Sequence, residues 1–180
     1  MVHDLLSYTL LSFSSLIIVV NPIGAMLIYQ AITEMMDAQT KRHVIAYACQ
    51  LSVAVLFFFA IAGSVLLQLF GITIDAFTIA GGILLFGIGI EMVYAKTSRT
   101  KMTATEKYES LETEDVSSMP LAFPMIAGPG SITTVIVLSH DTGIEEPLPI
   151  LIILLSILLT ILITYFVLRF SDPITARIGQ

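Results

Sequence analysis

The chain has 180 residues, of which 56% are hydrophobic and only 12% are charged, and its mean hydropathy is +0.93. A soluble domain carries about 25% charged residues, so this composition leaves too little polar surface for a water-soluble globule. The net charge of −6 comes from the segments between apolar stretches, and it excludes the concentrated basic face that nucleic-acid binding needs. We therefore predict an integral membrane protein that binds no nucleic acid.

Five apolar stretches follow one another along the chain, and each approaches the ~20 residues that a helix needs to cross a bilayer. The run 53–59 is apolar on every side, which favours helices over the alternating pattern of barrel strands. We predict an all-α integral membrane protein. It is a polytopic helix bundle with spans at about residues 5–30, 44–70, 75–95, 119–140 and 147–169.

The start of the chain lacks the basic region and small-residue cleavage site of a signal peptide, so we expect the first stretch to remain as a helix. The one cysteine, Cys49, lies in the second stretch, where we expect a small buried side chain without a disulfide. No Cys/His spacing typical of a metal site occurs, so we expect neither metal nor cofactor.

All Lys and Arg residues fall on one side of this five-span topology. The positive-inside rule then places the basic loops in the cytoplasm and the N-terminus outside, in the cell (inner) membrane. The basic residues are Lys41, Arg42, Lys96, Arg99, Lys101, Lys107, Arg169 and Arg177.

Residues 96–118 form a long polar connection rich in Thr, Ser, Glu and Lys. We expect a solvated cytoplasmic linker, with a short surface helix around residues 104–111 as the alternative. The linker divides the chain into a first repeat, residues 1–95, and a second repeat, residues 119–180.

The first span is interrupted near its middle by Asn21, Pro22 and Gly24. Proline breaks an interior helix, but it suits the first position of a new helix. Asn21 is then a natural N-cap for a half-helix that begins at Pro22.

The fourth span is interrupted in the same way by Gly128, Pro129 and Gly130, with a further break at Pro124. Both interruptions fall near mid-membrane. Because three helices separate them, the second enters the membrane in the opposite direction. This layout predicts two inverted three-helix repeats, with helices one and four broken.

Two helix starts at mid-membrane expose unpaired N–H groups and positive dipole ends, which suit a substrate carboxylate. We therefore predict a substrate site at the two motifs, with the amides of Gly24, Ala25, Gly130 and Ser131 as donors. The alternative is a pair of proline-kinked helices that only pack tightly. The full set of site residues is Asn21, Pro22, Gly24, Ala25, Gly128, Pro129, Gly130, Ser131, Thr133 and Thr134.

Three segments resemble the MarC family of multi-pass membrane proteins: residues 21–24, 76–86 and 120–134. The resemblance implies six helices in two inverted halves and membership of a wider group of amino-acid exporters. It also implies ion-coupled transport of small neutral amino acids, and drug efflux less directly. Relative to that pattern the chain stops at Gln180, so the sixth helix is missing, and the open flank suggests a homo-oligomer.

Glu91 is the carboxylate closest to membrane depth. It either reaches the inner interface near Lys96 or serves in ion coupling. Asp75 opens the third span and is expected to be an N-terminal helix residue.

Small and hydroxylated residues mark two other helices. Four glycines of the third span predict a packing seam against the broken helices. A stripe of hydroxyls on the fifth span predicts either helix packing or a substrate path. These residues are Gly81, Gly82, Gly87, Gly89, Ser156, Thr160 and Thr164.

We therefore expect a transporter of small neutral amino acids, such as glycine or alanine, that works by alternating access in the lipid bilayer with H+ or Na+ as coupling ion. The alternatives are a scaffold or assembly protein that transports nothing and an exporter of other small solutes or drugs. An enzyme is not expected, since the spans carry no paired aspartates, Ser/His dyad or zinc motif.

Overall fold

The computed structural model describes residues 2–34, 36–93, 117–141 and 147–171, and the side chains of 5–34, 36–90, 121–140 and 148–171. Residues 96–116 of the predicted linker therefore lie outside the described residues. Every regular element in this part is a helix, as the sequence predicts. The elements are α1 (Val2–Val20), α2 (Pro22–Thr33), α3 (Ala38–Leu69), α4 (Ile74–Val93), the π-helix π1 (Ser117–Ile126), α5 (Pro129–Asp141) and α6 (Pro147–Arg169).

Three helical stretches are long and apolar enough to cross a membrane, namely Leu5–Thr33, Ala38–Leu69 and Leu148–Arg169. The first of them contains both α1 and α2. The apolar part of α4, Ile74–Ile90, is shorter, and the predicted fourth span is divided between π1 and α5. The predicted helical membrane bundle is confirmed.

Helix α3 lies at the centre of the bundle, where it packs against π1, α5 and α6. Helix α6 also packs against α1 and α2. The two broken helices touch each other through α1 with α5 and through α2 with π1. The principal neighbour of α4 is α5, so α4 is attached to the bundle from one side.

The core is apolar, and the polar side chains buried in the described part of the chain are those of serine and threonine. Cys49 is buried, as expected. Large apolar side chains such as Ile18, Ile79 and Phe86 are exposed on the outer surface. In a membrane these side chains meet lipid tails, so their exposure agrees with the composition of the chain.

Helix α3 begins at a well-formed cap. The Asp37 carboxylate accepts hydrogen bonds from the amides of Gln39 (2.9 Å) and Thr40 (3.3 Å), and from the Thr40 hydroxyl. These hydrogen bonds hold the pKa of Asp37 below its ordinary value, and the bond from the Thr40 hydroxyl has the largest effect. Asp75 lies exposed in the first turn of α4, which confirms its expected place at a helix start.

Candidate functional site

The first break is organised by Asn21, which lies between α1 and α2. Its backbone adopts the left-handed conformation (φ 48°, ψ 71°), and its side-chain oxygen accepts a hydrogen bond from the Gly24 amide at 3.1 Å. Asparagine is one of the few residues that adopt this conformation readily. A Cβ atom on Gly24 would lie 2.5 Å from the Asn21 side-chain nitrogen, so only glycine leaves room for the cap. The predicted N-cap is confirmed.

The second break separates π1, which ends at Ile126, from α5, which begins at Pro129. A Cβ atom on Gly128 would overlap the carbonyl oxygen of Pro124, so a glycine is needed for the chain to turn there. The Gly128 carbonyl accepts a hydrogen bond from the Ile132 amide at 2.9 Å. The predicted interruption at Gly128 and Pro129 is confirmed, whereas the further break predicted at Pro124 is not found, because π1 continues through Pro124 to Ile126.

The two breaks come together. A Cβ atom on Gly130 would lie 3.2 Å from Cγ1 of Val19 and 2.6 Å from Cδ2 of Leu85. The first turn of α5 therefore contacts the last turn of α1. Farther along, the Tyr8 hydroxyl donates to the Leu138 carbonyl at 2.9 Å, so the two helices run antiparallel and the breaks lie at the same level of the bundle.

The hydrogen bonds at the breaks show which amides are free. Gly24 donates to the Asn21 side chain and Ala25 donates to the Asn21 carbonyl at 3.0 Å. In this conformation these two expected donors are therefore engaged. The amides of Ile23, Gly130 and Ser131 donate to no other group in the described part of the chain, so the unpaired amides belong to the first turns of α2 and α5.

Two of the three hydroxyls predicted for the site donate to nearby backbone carbonyls. Ser131 donates to the Ile126 carbonyl and Thr134 donates to the Gly130 carbonyl, at 2.8 and 2.9 Å. Thr133 packs against Gly81 of α4. These side chains stabilise the start of α5, and its backbone amides are the groups left to meet a ligand.

The glycine seam of α4 is narrower than the sequence predicts. A Cβ atom on Gly81 would overlap the side chain of Thr133, which confirms a close approach to the broken helix. Gly82, Gly87 and Gly89 have open space where a Cβ would stand, so the prediction is wrong for these three. Successive residues of a helix point in different directions, and one of the four faces α5.

Charged groups are absent from the described interior, where the buried polar side chains are all hydroxylic. Glu91 belongs to α4, but its side chain lies outside the described residues and its role in ion coupling stays a prediction. Over the described residues no three His, Cys, Asp or Glu side chains lie together as in a metal site. Among the described residues, the charge distribution at the breaks therefore comes from backbone dipoles.

Sequence reasoning missed three residues of the site. Val19 and Leu85 fill the space that Gly130 leaves, and Ile23 supplies a free amide. The free amide is deducible in principle, because a proline and a capping asparagine together fix which N–H groups lose their partners. The contacts of Val19 and Leu85 depend on how each helix is rotated about its axis, so no sequence motif predicts them.

Comparison with known proteins agrees with this architecture. The profile of the MarC family of integral membrane proteins matches residues 6–180. A UPF0056 membrane protein of Methanocaldococcus jannaschii is 36% identical over 97% of this chain and 76% of its own length. The UPF0056 membrane protein YvbG of Bacillus subtilis is 40% identical over 71% of this chain and 61% of its own length.

The protein YhcE of Escherichia coli, another UPF0056 membrane protein, is 38% identical over 69% of this chain and 58% of its own length. No solved structure matches the chain significantly. The match to the family extends through both broken helices and through the helices that pack around them. The chain therefore belongs to the MarC family of integral membrane proteins.

Proposed function

We propose that this protein carries small neutral amino acids, such as glycine and alanine, across the cytoplasmic membrane by alternating access. The observation that carries the proposal is the meeting of two helix breaks at one level, where Gly130 of α5 contacts Val19 of α1. Helix breaks inside a membrane leave backbone groups without partners, and such groups are tolerated where they line a cavity or bind a ligand.

The free amides favour a carboxylate at one end of the substrate. Those of Ile23, Gly130 and Ser131 lie in the first turns of α2 and α5, where the helix dipoles are positive. A carboxylate bound there accepts hydrogen bonds from both helices and needs no buried arginine or lysine. In this proposal the carboxylate of the amino acid joins the two half-helices.

The surroundings of Gly130 favour a small uncharged side chain on the substrate. The groups closest to Gly130 are the apolar ends of Val19 and Leu85. No charged side chain is buried among the described residues, so a charged substrate side chain would lose its hydration without gaining a partner. A small uncharged side chain fits this space, as in glycine or alanine.

The helix contacts support an inverted repeat, an arrangement found in many alternating-access transporters. Helix α6 packs along both pieces of the first broken helix, α1 and α2. Helix α3 packs along both pieces of the second, π1 and α5. The contact of α1 with α5 is likewise matched by that of α2 with π1. This exchange of partners is what a two-fold axis in the membrane plane produces, and rocking of one half against the other then opens the site alternately.

Purified protein in proteoliposomes tests the proposal. We expect saturable uptake of radiolabelled alanine or glycine, and stabilisation of the detergent-solubilised protein by the same amino acids, read with a thiol-reactive dye on the buried Cys49. Both responses are expected to fall in Asn21→Ala and Gly130→Leu. If flux is unchanged in both variants, the site is wrong. Absence of saturable flux and of any ligand-induced thermal shift would instead favour a scaffold or assembly protein.

A matched control separates loss of the site from loss of the fold. Gly82 lies in open space on α4, so Gly82→Leu adds the same side chain as Gly130→Leu away from the breaks. We expect this control to retain alanine uptake. If a drug or another small solute competes with alanine and stabilises the protein more than alanine does, the protein is better described as an exporter of that solute.

A further inference from the structure

One buried hydroxyl of α6 has no partner. Ser156, Thr160 and Thr164 form the stripe predicted on this helix, and all three are buried. The Thr164 hydroxyl donates to the Thr160 carbonyl at 2.8 Å, as expected for a hydroxyl that bonds its own helix. The Thr160 hydroxyl, with 1% of the residue exposed, has no hydrogen-bond partner in the described part of the chain. A buried hydroxyl without a partner is energetically unfavourable, so a bound ligand that supplies the missing partner is stabilised.

The position of Thr160 along the bundle follows from a contact at the other end of α6. The side-chain amide of Gln30 donates to the Ser171 carbonyl at 3.0 Å, which aligns the end of α2 with the end of α6. Helix α6 packs along both α1 and α2. Counting back equally from Gln30 and Ser171 brings Thr160 level with Val19, to within about one helical turn. The unpaired hydroxyl therefore lies at the level of the first break.

The last turn of α1 presents unpaired carbonyls at this level. Pro22 has no N–H to donate to the Ile18 carbonyl, and the Gly24 amide is taken by the Asn21 side chain. The carbonyls of Ile18, Val19 and Val20 receive no hydrogen bond from any described residue. They also lie at the negative end of the α1 dipole. Carbonyl oxygens and a buried hydroxyl at one level form an environment that attracts a positive ion.

The charge of that ion follows from what surrounds it. Side chains buried in the described part of the bundle include serine and threonine but no carboxylate. Divalent cations in proteins are usually bound by carboxylates, whereas carbonyls at half-helix ends coordinate the monovalent coupling ions of transporters. Neutral oxygen ligands therefore favour a monovalent cation.

We propose that the Thr160 hydroxyl and the free carbonyls that end α1 bind a monovalent alkali cation at the first break. The proposal rests on the transport function proposed above, for which this ion is the coupling ion. The cation lies beside the half-helix starts that hold the carboxylate, so cation and substrate stabilise each other electrostatically. Binding of either one then raises the affinity for the other by the same factor.

The test measures the melting temperature of the full chain in detergent, without any amino acid, in NaCl, KCl or choline chloride at equal ionic strength. We expect Na+ or K+ to stabilise the wild type in a saturable way relative to choline. Thr160→Val removes the hydroxyl at nearly constant shape, and we expect it to lower the cation affinity about tenfold or more. Thr160→Ser keeps a hydroxyl and is expected to keep the response.

Two control variants separate this role from a general effect on packing. Thr164→Val removes a hydroxyl that is already paired with its own helix. Ser12 of α1 is also fully buried with an unpaired hydroxyl, but it lies about two and a half turns before Asn21, and Ser12→Ala removes that group. Both controls are expected to keep the cation response. Thr160→Val itself is expected to melt at or above the wild-type temperature in choline, since it removes a buried unsatisfied group.

Each outcome decides the proposal. Equal melting temperatures in all three salts overturn it, and so does a cation response that survives in Thr160→Val. Stabilisation by alanine in choline without any response to Na+ or K+ also overturns it, while leaving the proposed amino-acid function intact. Conversely, the wild type could respond to the cation, lose this response in Thr160→Val and yet give no alanine flux. That result supports the ion site and contradicts the proposed transport of alanine.

Discussion

Gly81 of α4 and Thr133 of α5 approach so closely that a Cβ atom at position 81 would overlap the threonine side chain. Small residues at helix contacts let two backbones approach, which is how helices associate in lipid. We expect Gly81→Leu to push α4 away from α5 and to destabilise the protein by about 1–3 kcal/mol. The measurement is the melting temperature in detergent, and under the proposed function the transport rate should fall with it because Thr133 lies near the start of α5.

Gly82→Leu is the matched control for this contact, because it places the same side chain in open space on the next residue. We expect its melting temperature to stay close to that of the wild type. Equal destabilisation by the two variants would mean that α4 does not pack through Gly81.

Asn21 both caps α2 and adopts a left-handed backbone, and the two roles can be separated. Asn21→Gly keeps the backbone freedom and loses the cap, so we expect a loss of only a few tenths of a kcal/mol. Asn21→Ala loses the cap and places a Cβ atom in the left-handed region, so we expect a loss of about 1–3 kcal/mol. Thermal unfolding of both variants checks the order, and equal stabilities would contradict the conformation described for Asn21.

Gly130 leaves a space that is filled by the flexible end of the Leu85 side chain, 2.6 Å from the Cβ position. We expect Gly130→Ala to displace Leu85 and to weaken both stability and the response to alanine. Leu85→Ala in the same chain should restore part of each, because it removes the clashing atoms. A double-mutant cycle on melting temperature and on alanine affinity measures this coupling, and simple additivity would show that the two residues do not meet.

Asp37 connects stability to pH at the start of α3. The hydrogen bonds of Thr40 and Gln39 lower the pKa of Asp37 in the folded protein. The stability that Asp37 contributes is therefore complete at a pH above its ordinary pKa, and it is lost as the pH falls through the lower pKa of the folded state. We expect a loss of stability below about pH 4. Asp37→Asn keeps a capping side chain but does not titrate, so it should melt near the wild type at neutral pH and lose this part of the acid sensitivity. If the melting temperature of Asp37→Asn depends on acid pH as that of the wild type does, other groups cause the loss of stability.

The sequence predicted the helical membrane bundle because long uncharged stretches leave few alternatives in lipid. It also predicted the cap at Asn21, since proline and asparagine act on their own backbone and their effects are local. The sequence could not predict which residues of a helix face a neighbouring helix, because this depends on the rotation of the helix about its axis. Gly81 faces α5 while Gly82, Gly87 and Gly89 do not, and nothing in the spacing of four glycines singles out the first.

The candidate site shows the same division between local and long-range features. The breaks were predictable, and the bond from Gly24 to Asn21 follows from the predicted N-cap, but the amides of Gly24 and Ala25, which the sequence predicts to meet the substrate, are both engaged at Asn21. The contact of Gly130 with Val19 and the unpaired hydroxyl of Thr160 arise from packing between distant segments. Residue type indicates which groups are polar, and the fold decides which of them are left without partners.

Helix α4 has one principal neighbour in the described structure, α5, and its Ile79, Ile83 and Phe86 side chains are exposed. These exposed apolar side chains suit contact with lipid tails, and we expect the fit of the apolar length of α4 to the hydrocarbon thickness to influence its tilt. A change of tilt would be passed to the start of α5 through the contact of Gly81 with Thr133. Under the proposed function, we therefore expect acyl-chain length to influence how readily the half-helices separate.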